Sequence, residues 1–414
     1  MSDSSANKKT ESQGKQEKMP KGWQEKKLGE FMEFKNGVNA EKEAYGRGVK
    51  FVNLMDIFKK PFLGKDDIDG SVDISPVQAV EYSVQEGDIL FNRTSETPEE
   101  IAFAAVYTGK EKITFGGFVI RGRQSKNLLL PAFAGYCFQN NLVRKALVSK
   151  CQGAVRANIG QKELSQIPIQ VPPVAEQEKI AAILRTWDDA IEKQDKIISN
   201  LQQERKALLG NLLLNQQTNK PLKFFAKPVA REVDKPTSAY HALGIRSHCK
   251  GTFQRFIKDA STVAMETLYQ VRENDLIVNI TFAWEGAIAL VKKDDENCLV
   301  SHRFPTHEID TSKALPQFVR HVVQTRKFIE QLGIISPGGA GRNRVLNKKD
   351  FLELRIWLPD LQTQQNISDI ISTIETEIGI AEMLLDKFKL QKRGLMQKLL
   401  TGEWPIKTSE KEAA

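Results

Sequence analysis

The sequence predicts a mixed α+β protein in which two globular domains are separated by two long helices that form an antiparallel coiled coil. Three observations support this fold class. Segments of the chain repeat at a separation of 187 residues, each repeat ends in an apolar pattern of coiled-coil period, and the 414 residues suffice for two or three domains. Together they indicate a tandem duplication with pseudo-two-fold symmetry.

The repeat is clearest where residues 167–184 read IPIQVPPVAEQEKIAAIL and residues 354–371 read LRIWLPDLQTQQNISDII. At a separation of 187, identical residues coincide at Ile169/Ile356, Pro172/Pro359, Gln177/Gln364, Ile180/Ile367 and Ile183/Ile370. DILFNRT (88–94) stands over DLIVNIT (275–281) at the same separation. A unit of about 190 residues is too long for a solenoid repeat, so each copy is interpreted as a globular domain followed by a helix.

The helical part of each copy carries an apolar seam with alternating steps of four and three residues. The seam residues are Ile180, Leu184, Trp187, Ile191, Gln194, Ile198, Leu201, Arg205, Leu208 and Leu212 in the first copy. In the second copy they are Ile367, Ile371, Ile374, Ile378, Ala381, Leu385, Phe388, Lys392, Leu395 and Leu399. An ordinary core helix can carry such a stripe, but five heptads in both copies favour a coiled coil.

Each helix, at about 38 residues, is roughly 57 Å long and needs a partner to cover its seam. The nearest partner is the other copy, and two-fold pairing of duplicated helices requires them to be antiparallel. Arg205 and Lys392 share one seam position. Because burying a charge is costly, we expect both side chains to extend outward to solvent.

The predicted organisation follows from these helices. It comprises a disordered tail at 1–19, a globular domain at 20–174, a central helix at 175–216, a second globular domain at 217–360, a distal helix at 361–402 and a tail at 403–414. Pro172 and Pro173 precede the first helix, Asp360 or Thr363 is expected to cap the second, and Gly402 is expected to end it.

Composition and motifs argue against a membrane protein and against an enzyme. The chain has no run of eighteen apolar residues and no secretory signal in its polar start, so we expect a cytoplasmic protein. Its four cysteines are scattered rather than clustered as zinc ligands are, which fits a reducing compartment. There is no phosphate-binding glycine loop. VPPV (171–174) lacks the polar and aromatic residues of an adenine methyltransferase loop. We expect no metal and no catalytic residue.

DNA is the leading candidate ligand. The net charge of +8 and pI of about 9.1 favour a polyanion. Two domains held at a fixed distance suit two DNA half-sites about one helical turn apart, roughly 34–36 Å. The alternative is a coiled-coil scaffold whose basic domains bind acidic proteins.

Two loops in each domain are the favoured places for DNA contact. One follows the DILFNRT-like strand and the other precedes the long helix, where glycine, arginine and asparagine occur together. The candidates are Asn92, Arg93, Thr94, Ser95, Arg156 and Asn158 in the first domain, and Asn279, Thr281, Arg342, Asn343 and Arg344 in the second. A plain turn capped by Asn and Thr is the alternative for the strand loops. The other cations considered, Arg121, Arg123, Lys126, Arg246, Lys250 and Arg255, fit scattered surface charge slightly better.

The chain resembles the specificity subunit of Type I restriction–modification systems. The similarity lies in the PP-x-x-EQ-x-x-I element of residues 172–180, in GDILFNRTS (87–95) and in the C-terminal LMQKLLTGEW (395–404). It covers about residues 20 to 404. The second copy departs from the pattern, because no Glu precedes Gln364.

The resemblance implies that each globular domain is a target recognition domain and that the helices set the spacing between half-sites. It implies double-stranded DNA, two adenine-N6 methyltransferase subunits and two motor-nuclease subunits as partners in defence against phage. S-adenosylmethionine, ATP and Mg²⁺ would be used by those partners, and no cofactor by this chain. The residues expected to dock partners or build the spacer are Pro172, Glu176, Gln177, Ile180, Trp187, Gln364 and Ile367.

Overall fold

The computed structural model describes residues 19–153, 156–339 and 344–406. The chain divides into two compact units. Unit 1 draws on Met1–Lys193 and Asp386–Ala414, and unit 2 is Gln194–Leu385. Each long helix therefore contributes residues to both units.

Unit 1 contains twelve of the described strands and the first five short helices. The strands are β1 (Gln24–Lys27), β2 (Met32–Asn36), β3 (Tyr45–Val52), β4 (Phe62–Leu63), β5 (Ser71–Val72), β6 (Ile89–Asn92), β7 (Thr94–Ser95), β8 (Ala104–Tyr107), β9 (Thr114–Phe115), β10 (Val119–Gln124), β11 (Ala157–Asn158) and β12 (Pro168–Val171). The helices are α1 (Leu54–Lys59), α2 (Pro76–Glu81), α3 (Pro131–Cys137), α4 (Asn141–Ser149) and α5 (Gln161–Ser165), followed by the long α6 (Val174–Leu209). Short 3-10 turns lie at Leu28–Glu30, Lys42–Ala44, Lys65–Asp67 and Pro98–Glu100.

The main sheet of unit 1 has the strand order β2-β10-β6-β8-β4, beside a smaller sheet β5-β3-β9. All four residues of β6 are buried, which explains the continuous apolar run ILF in a strand covered on both faces. β1 pairs antiparallel with β12, so the start of the globular part is tied to the strand that enters α6.

Unit 2 contains eleven described strands. They are β13 (Lys220–Pro221), β14 (Ala226–Val229), β15 (Glu232–Asp234), β16 (Tyr240–Ile245), β17 (Thr252–Ile257), β18 (Thr267–Gln270), β19 (Leu276–Val278), β20 (Ile288–Leu290), β21 (Leu299–Val300), β22 (Thr306–Ile309) and β23 (Arg355–Ile356). The helices are α7 (Pro316–Val323), α8 (Arg326–Ile334), α9 (Lys348–Glu353) and the long α10 (Leu361–Leu400). Short 3-10 turns lie at Leu222–Phe224, Ala260–Thr262, Ala283–Glu285 and Lys293–Asp295.

The sheets of unit 2 have the orders β14-β22-β19-β20 and β15-β18-β21-β16-β17. As in unit 1, an entry strand pairs antiparallel with the strand before the long helix, here β13 with β23. The same closure therefore occurs once in each unit.

The ends of the long helices have clear local causes. α6 starts directly after Pro172 and Pro173, and beyond Leu209 it continues as a π-helical turn, Gly210–Leu214. Asp360 caps α10, because its Oδ1 accepts a hydrogen bond from the Thr363 backbone N–H at 2.9 Å. α10 ends at Leu400, and Gly402 follows with a φ of +70° in close contact with Pro20.

The helices pair antiparallel, as the sequence predicts. In unit 1 the ring centroids of Trp187 and Phe388 lie 5.9 Å apart. In unit 2 Gln194 Nε2 donates to the Ala381 carbonyl at 3.0 Å. Farther along α6, the partner of Arg205 is Glu375, so the residue numbers run in opposite directions. All twenty predicted seam positions are buried or half-buried.

The expectation that Arg205 and Lys392 point outward to solvent is wrong. Lys392 Nζ pairs with Asp188 Oδ1, and Tyr136 donates to Asp188 Oδ2 at 2.7 Å. We call Lys392 and Asp188 seam ion pair 1. A carboxylate on the facing helix offsets the cost of removing each cation from water, and the seam pattern of a single helix does not reveal this partner.

Seam ion pair 2 consists of Arg205 and Glu375, and Arg320 also bonds to Glu375. Arg205 Nη2 donates to Glu375 Oε1 at 2.6 Å and Arg320 Nη2 to Glu375 Oε2 at 2.7 Å. Although burial alone would raise it, the hydrogen bond from Arg205 and the charge of Arg320 hold the pKa of Glu375 below its ordinary value. Glu375 lies 187 residues after Asp188, as Lys392 does after Arg205. The same pair is thus built twice, with the helices exchanging roles.

Two glutamines that match in the repeat join each long helix to its globular part. Gln177 accepts from Leu130 N at 2.9 Å and donates to the carbonyls of Leu128 at 2.8 Å and Pro172 at 2.9 Å. Gln364 accepts from Leu315 N at 2.8 Å and donates to the carbonyls of Lys313 at 3.1 Å and Pro359 at 2.8 Å. These glutamines are only 1% and 0% exposed. Each fixes the start of α3 or α7 against the entry of the long helix.

Removing one charge of seam ion pair 1 should destabilise the chain. Lys392→Met leaves Asp188 without its cation, and we expect a loss of about 2 kcal/mol in the free energy of unfolding because the pair is only partly buried. The double variant Asp188→Asn/Lys392→Met should recover part of the loss. Urea denaturation measures both. The control is Lys389→Met, on the exposed side of α10. An equal effect of Lys389→Met and Lys392→Met would contradict the role of the pair.

Unit 2 should lose stability on mild acidification. Burial lowers the pKa of both His307 and His321 to about 4, whereas an unfolded histidine titrates near 6.5. The contribution of these two histidines to the free energy of unfolding is fully present above about pH 6.5. Between there and about pH 4 the unfolded chain binds more protons, so stability falls as the pH drops.

Unfolding midpoints at pH 7.5 and pH 5 test this expectation. Replacing His307 and His321 with Gln should reduce the pH dependence, whereas His241→Gln, at an exposed position, should leave it unchanged. Identical pH dependence in the wild type and the double variant would refute the explanation.

Candidate nucleic-acid interface

The two loops predicted to contact DNA lie side by side in each unit. In unit 1, β7 pairs antiparallel with β11, which places Thr94 opposite Asn158. Ile159 N donates to the Arg93 carbonyl at 3.1 Å. In unit 2, Leu346 N donates to the Ile280 carbonyl at 2.8 Å. Both partners of that bond lie 187 residues after those in unit 1, so the repeat reproduces the contact.

In each unit a third loop lies against the two predicted loops, and it was not predicted from the sequence. Arg93 N donates to the Phe118 carbonyl at 2.8 Å, and Ile280 N donates to the Arg303 carbonyl at 3.0 Å. The available signal was the pair of β-branched segments, since Phe118 lies within KITFGGFVI (112–120) and Arg303 lies near the end of ENCLVSHRF (296–304). Phe118 and Arg303 are exposed.

We call the three loops of unit 1 loop cluster 1 and those of unit 2 loop cluster 2. Loop cluster 1 comprises residues 93–97, 116–118, 152–153 and 156–158, and loop cluster 2 comprises 279–285, 301–304 and 344–346. Each cluster is held by two backbone hydrogen bonds. One recurs at equivalent positions of the repeat, and the acceptor of the other is shifted by two residues between the copies. Backbone bonds of this kind leave side chains at the surface free to differ between the units.

The candidates in loop cluster 1 separate into buried and exposed residues. Arg156 and Asn158 are exposed, and the Arg156 guanidinium is 3.8 Å from the Glu96 carboxylate, a weak contact between two exposed groups. Arg93 and Thr94 are half-buried. Ser95 is buried and accepts from Thr97 N at 3.2 Å. The exposed pair is therefore best placed to reach a ligand.

Asn92, just before loop cluster 1, is a poor DNA-contact residue, contrary to the sequence expectation. It ends the fully buried strand β6 and is 0% exposed. Its Nδ2 donates to the Thr94 carbonyl at 3.3 Å. The burial of Asn92 could not be predicted from the local pattern, because an asparagine after an apolar strand is equally typical of an exposed turn.

The candidates in loop cluster 2 are engaged within the chain. Asn279 Oδ1 accepts from Thr281 N at 3.0 Å, which is the plain capped turn considered as the alternative. Arg344 donates to the carbonyls of Gly333 at 2.6 Å and Ser336 at 3.0 Å, and it stacks over Trp284. It thereby satisfies carbonyls at the end of α8. Arg342 and Asn343 lie outside the described residues.

The aspartate shared by the two strand motifs shapes the turn before each loop. Asp88 accepts from Gln85 N at 2.8 Å and pairs with Arg123 through both oxygens, at 2.8 and 2.6 Å. Asp275 accepts from Arg272 N at 2.8 Å and pairs with Arg231 at 2.5 and 3.2 Å. The equivalent acids therefore use arginines from different parts of the sequence.

Arg121 and Arg123 are not scattered surface cations. Arg121 is buried, and desolvation by burial lowers its pKa. Both arginines donate to the Ser83 carbonyl. They hold β10 against the turn that precedes β6, which is a structural role.

The residues expected to dock partners or build the spacer face the interior of their units. Pro172, Gln177, Ile180, Gln364 and Ile367 are buried. Glu176 accepts from Trp23 Nε1 at 2.8 Å, and Trp187 packs on Phe388. These contacts favour the spacer role, since a protein partner would meet other side chains of the helices, such as the exposed Ile183 and Ile370.

Among the described residues, no group of three or more His, Cys, Asp or Glu side chains is placed to hold a metal ion. Within those same ranges, no helix is both long enough and apolar enough to cross a membrane. At the surface of the loop clusters lie the guanidinium groups of Arg156 and Arg303, the Asn158 amide, the Phe118 ring and the Glu96 carboxylate.

Solved structures share this fold. The S subunit of a Type I restriction–modification system from M. genitalium matches 93% of this chain and 97% of its own, with a TM-score of 0.51 at 13% identity. The HsdS subunit from Thermoanaerobacter tengcongensis matches 94% of this chain and 99% of its own, also at a TM-score of 0.51 and 13% identity. A chain from a structure describing complex assembly and conformational transition of the type I R-M system has a TM-score of 0.60 at 12% identity. The match covers 94% of this chain and 100% of that chain.

Sequence relatives agree with the structural ones. The putative type I restriction enzyme MjaX specificity subunit of Methanocaldococcus jannaschii is 23% identical, over 94% of this chain and 95% of its own length. The MjaVIII specificity subunit of the same organism is 20% identical over the same shares. A family model described as the Type I restriction modification DNA specificity domain matches residues 20–203 and 254–389. With more than half of its length matched, the chain belongs to the Type I restriction–modification DNA specificity family.

Proposed function

We propose that this chain is the specificity subunit that reads a bipartite DNA target, with loop cluster 1 at one half-site and loop cluster 2 at the other. The observation that carries the proposal is the repeated three-loop arrangement. Two backbone hydrogen bonds hold each cluster. In unit 1, Arg93 N donates to the Phe118 carbonyl and Ile159 N donates to the Arg93 carbonyl. In unit 2, Ile280 N donates to the Arg303 carbonyl and Leu346 N donates to the Ile280 carbonyl. A duplicated framework with different surface side chains suits two half-sites of different sequence.

The surface of each cluster offers the two kinds of contact that DNA recognition needs. Cations and backbone N–H groups bind phosphate, and planar amide or guanidinium groups read base edges. Arg156 and Asn158 supply these groups in unit 1, and Arg303 supplies a cation in unit 2. The net charge of +8 attracts polyanions of either kind, and the match to a DNA specificity domain favours DNA over the alternative of a scaffold that binds acidic proteins.

We assign the chemistry of the system to partner subunits. In this proposal the chain is not an enzyme and binds no cofactor. Two methyltransferase subunits use S-adenosylmethionine to methylate adenine N6, and two motor-nuclease subunits use ATP and Mg²⁺ to translocate and cut DNA. The support is the name of the relatives as specificity subunits and the surface chemistry of the loop clusters. A DNA target makes the cytoplasm the proposed location.

Mapping of N6-methyladenine tests the proposed function. Genomic DNA is compared between cells with and without this chain, in the presence of its neighbouring methyltransferase. We expect the chain to add methylation at one bipartite motif, with an adenine in each half. An active and bound methyltransferase whose methylation pattern does not depend on the chain would contradict the proposal.

Arg156→Ala should affect the half-site read by unit 1. If the guanidinium contacts a base, the sequence requirement for methylation should relax at one position of that half-site, and affinity for the target should fall about ten-fold. A phosphate contact would instead weaken binding to all sequences and lower the salt dependence by about one ion. Lys150→Ala, an exposed position outside loop cluster 1, is the control. Equal binding by the wild type and Arg156→Ala would remove this residue from the interface.

A further inference from the structure

We propose that one face of the β16–β17 hairpin is a second DNA-contact surface of unit 2, beside loop cluster 2. This face, called the basic face, comprises Tyr240, Arg246, Phe253 and Arg255. The inference rests on the proposed function and adds to it a surface that the two predicted loops do not include.

The hairpin sequence has an unusual charge balance. Residues 240–258, YHALGIRSHCKGTFQRFIK, contain four Lys or Arg residues and no Asp or Glu. Phe253 and Phe256 are 38% and 54% exposed on the same strand. On duplex DNA, such cations bind phosphates, and an exposed aromatic ring offers an apolar contact for a thymine methyl group in the groove.

Strand register places the basic face on one side of the sheet. β16 and β17 pair antiparallel, with Ala242 opposite Arg255 and Gly244 opposite Phe253. Side chains alternate along a strand, so Phe253 and Arg255 share a face, and Gln254 and Phe256 lie on the other. β17 is the edge strand of its sheet, so the hairpin is not covered by a further strand.

The ring of Phe253 is held in place on the basic face. A Cβ on Gly244 would come within 2.5 Å of Phe253 Cζ, so the ring lies directly over the glycine. Arg246 stacks on the same ring at 5.1 Å and donates to the Thr252 carbonyl at 2.8 Å. A preorganised aromatic ring loses little conformational freedom when a ligand covers it.

The basic face continues into loop cluster 2. Its cavity of about 390 Å³ is lined by Tyr240, Phe253, Arg255, Ser301 and Phe304, among other residues. A neighbouring cavity of about 300 Å³ shares Ser301 and Phe304 and adds His302 and Lys348. Ser301 and Phe304 belong to loop cluster 2, so a strand bound at the loops would meet the basic face next.

Charge distinguishes the two faces of the hairpin and favours DNA as the occupant. On the opposite face, Gln254 Nε2 donates to the Asp294 carbonyl at 2.7 Å and to Asp295 Oδ1 at 3.0 Å, so acidic residues lie on that side. A polyanion is therefore drawn to the basic face. A two-stranded ribbon also fits the DNA major groove, which is about 12 Å wide.

The test uses the full chain assembled with its methyltransferase, and duplex DNA that carries the mapped bipartite target. We expect Phe253→Ala and Arg255→Ala each to weaken binding about ten-fold, the first through loss of an apolar contact to a base edge, and Arg255→Ala to lower the salt dependence by about one ion. Arg255→Lys should retain that salt dependence. The matched control is Phe256→Ala, an exposed phenylalanine of the same strand on the opposite face, which should bind as the wild type does.

The outcomes separate this inference from the proposed function. If the wild type binds its bipartite target and both basic-face variants bind equally well, the inference is overturned and the proposed function stands. If the wild type has no bipartite target, the proposed function itself fails. If the variants still bind DNA but no longer bind the methyltransferase, the inference is overturned and the basic face is a contact surface for a protein partner. If Phe253→Ala unfolds, the exposed Arg255 variants decide the question.

Discussion

The pairing of a cation with a carboxylate across the two long helices is the interaction on which the arrangement of each unit depends. Lys392 with Asp188, and Arg205 with Glu375, place a cation inside an apolar seam where a carboxylate on the facing helix offsets its desolvation. Each carboxylate is also bonded by the globular part, through Tyr136 in unit 1 and Arg320 in unit 2. The pair therefore fixes helix register and domain orientation together, within each unit.

Most of the residues that are identical in the two copies hold the fold together rather than lie at the surface of the loops. Gln177 and Gln364 bond the same kinds of backbone groups, and Asp88 and Asp275 accept equivalent hydrogen bonds from the turn before the strand. Such side chains hold the loops but are not displayed at their surface. In this account, the residues that differ between the copies read the DNA sequence. Asn92, which is identical in both copies, is buried, whereas Phe118 and Arg303 are exposed and do not occupy equivalent positions of the repeat.

Local periodicity was enough to predict the fold class, because a seam of period 3.5 depends only on the order of residues in one helix. The family, too, followed from short motifs. Contacts between distant segments were not predictable in the same way. Nothing near Asp88 or Asp275 indicates that one pairs with Arg123 and the other with Arg231. The third loop of each cluster and the pairing of Arg205 likewise depend on strand order and helix register, which the sequence alone did not provide.

The most direct test of the account is the gap between half-sites after insertion of one heptad into α6 and one into α10, placed at the level of the Gln194–Ala381 contact so that the antiparallel register is kept. Seven helical residues add roughly 10 Å, or about three base pairs of DNA. The account predicts that methylation mapping finds the same two half-sites with a gap about three base pairs longer. An unchanged gap in a folded, active complex would contradict the claim that these helices set the spacing.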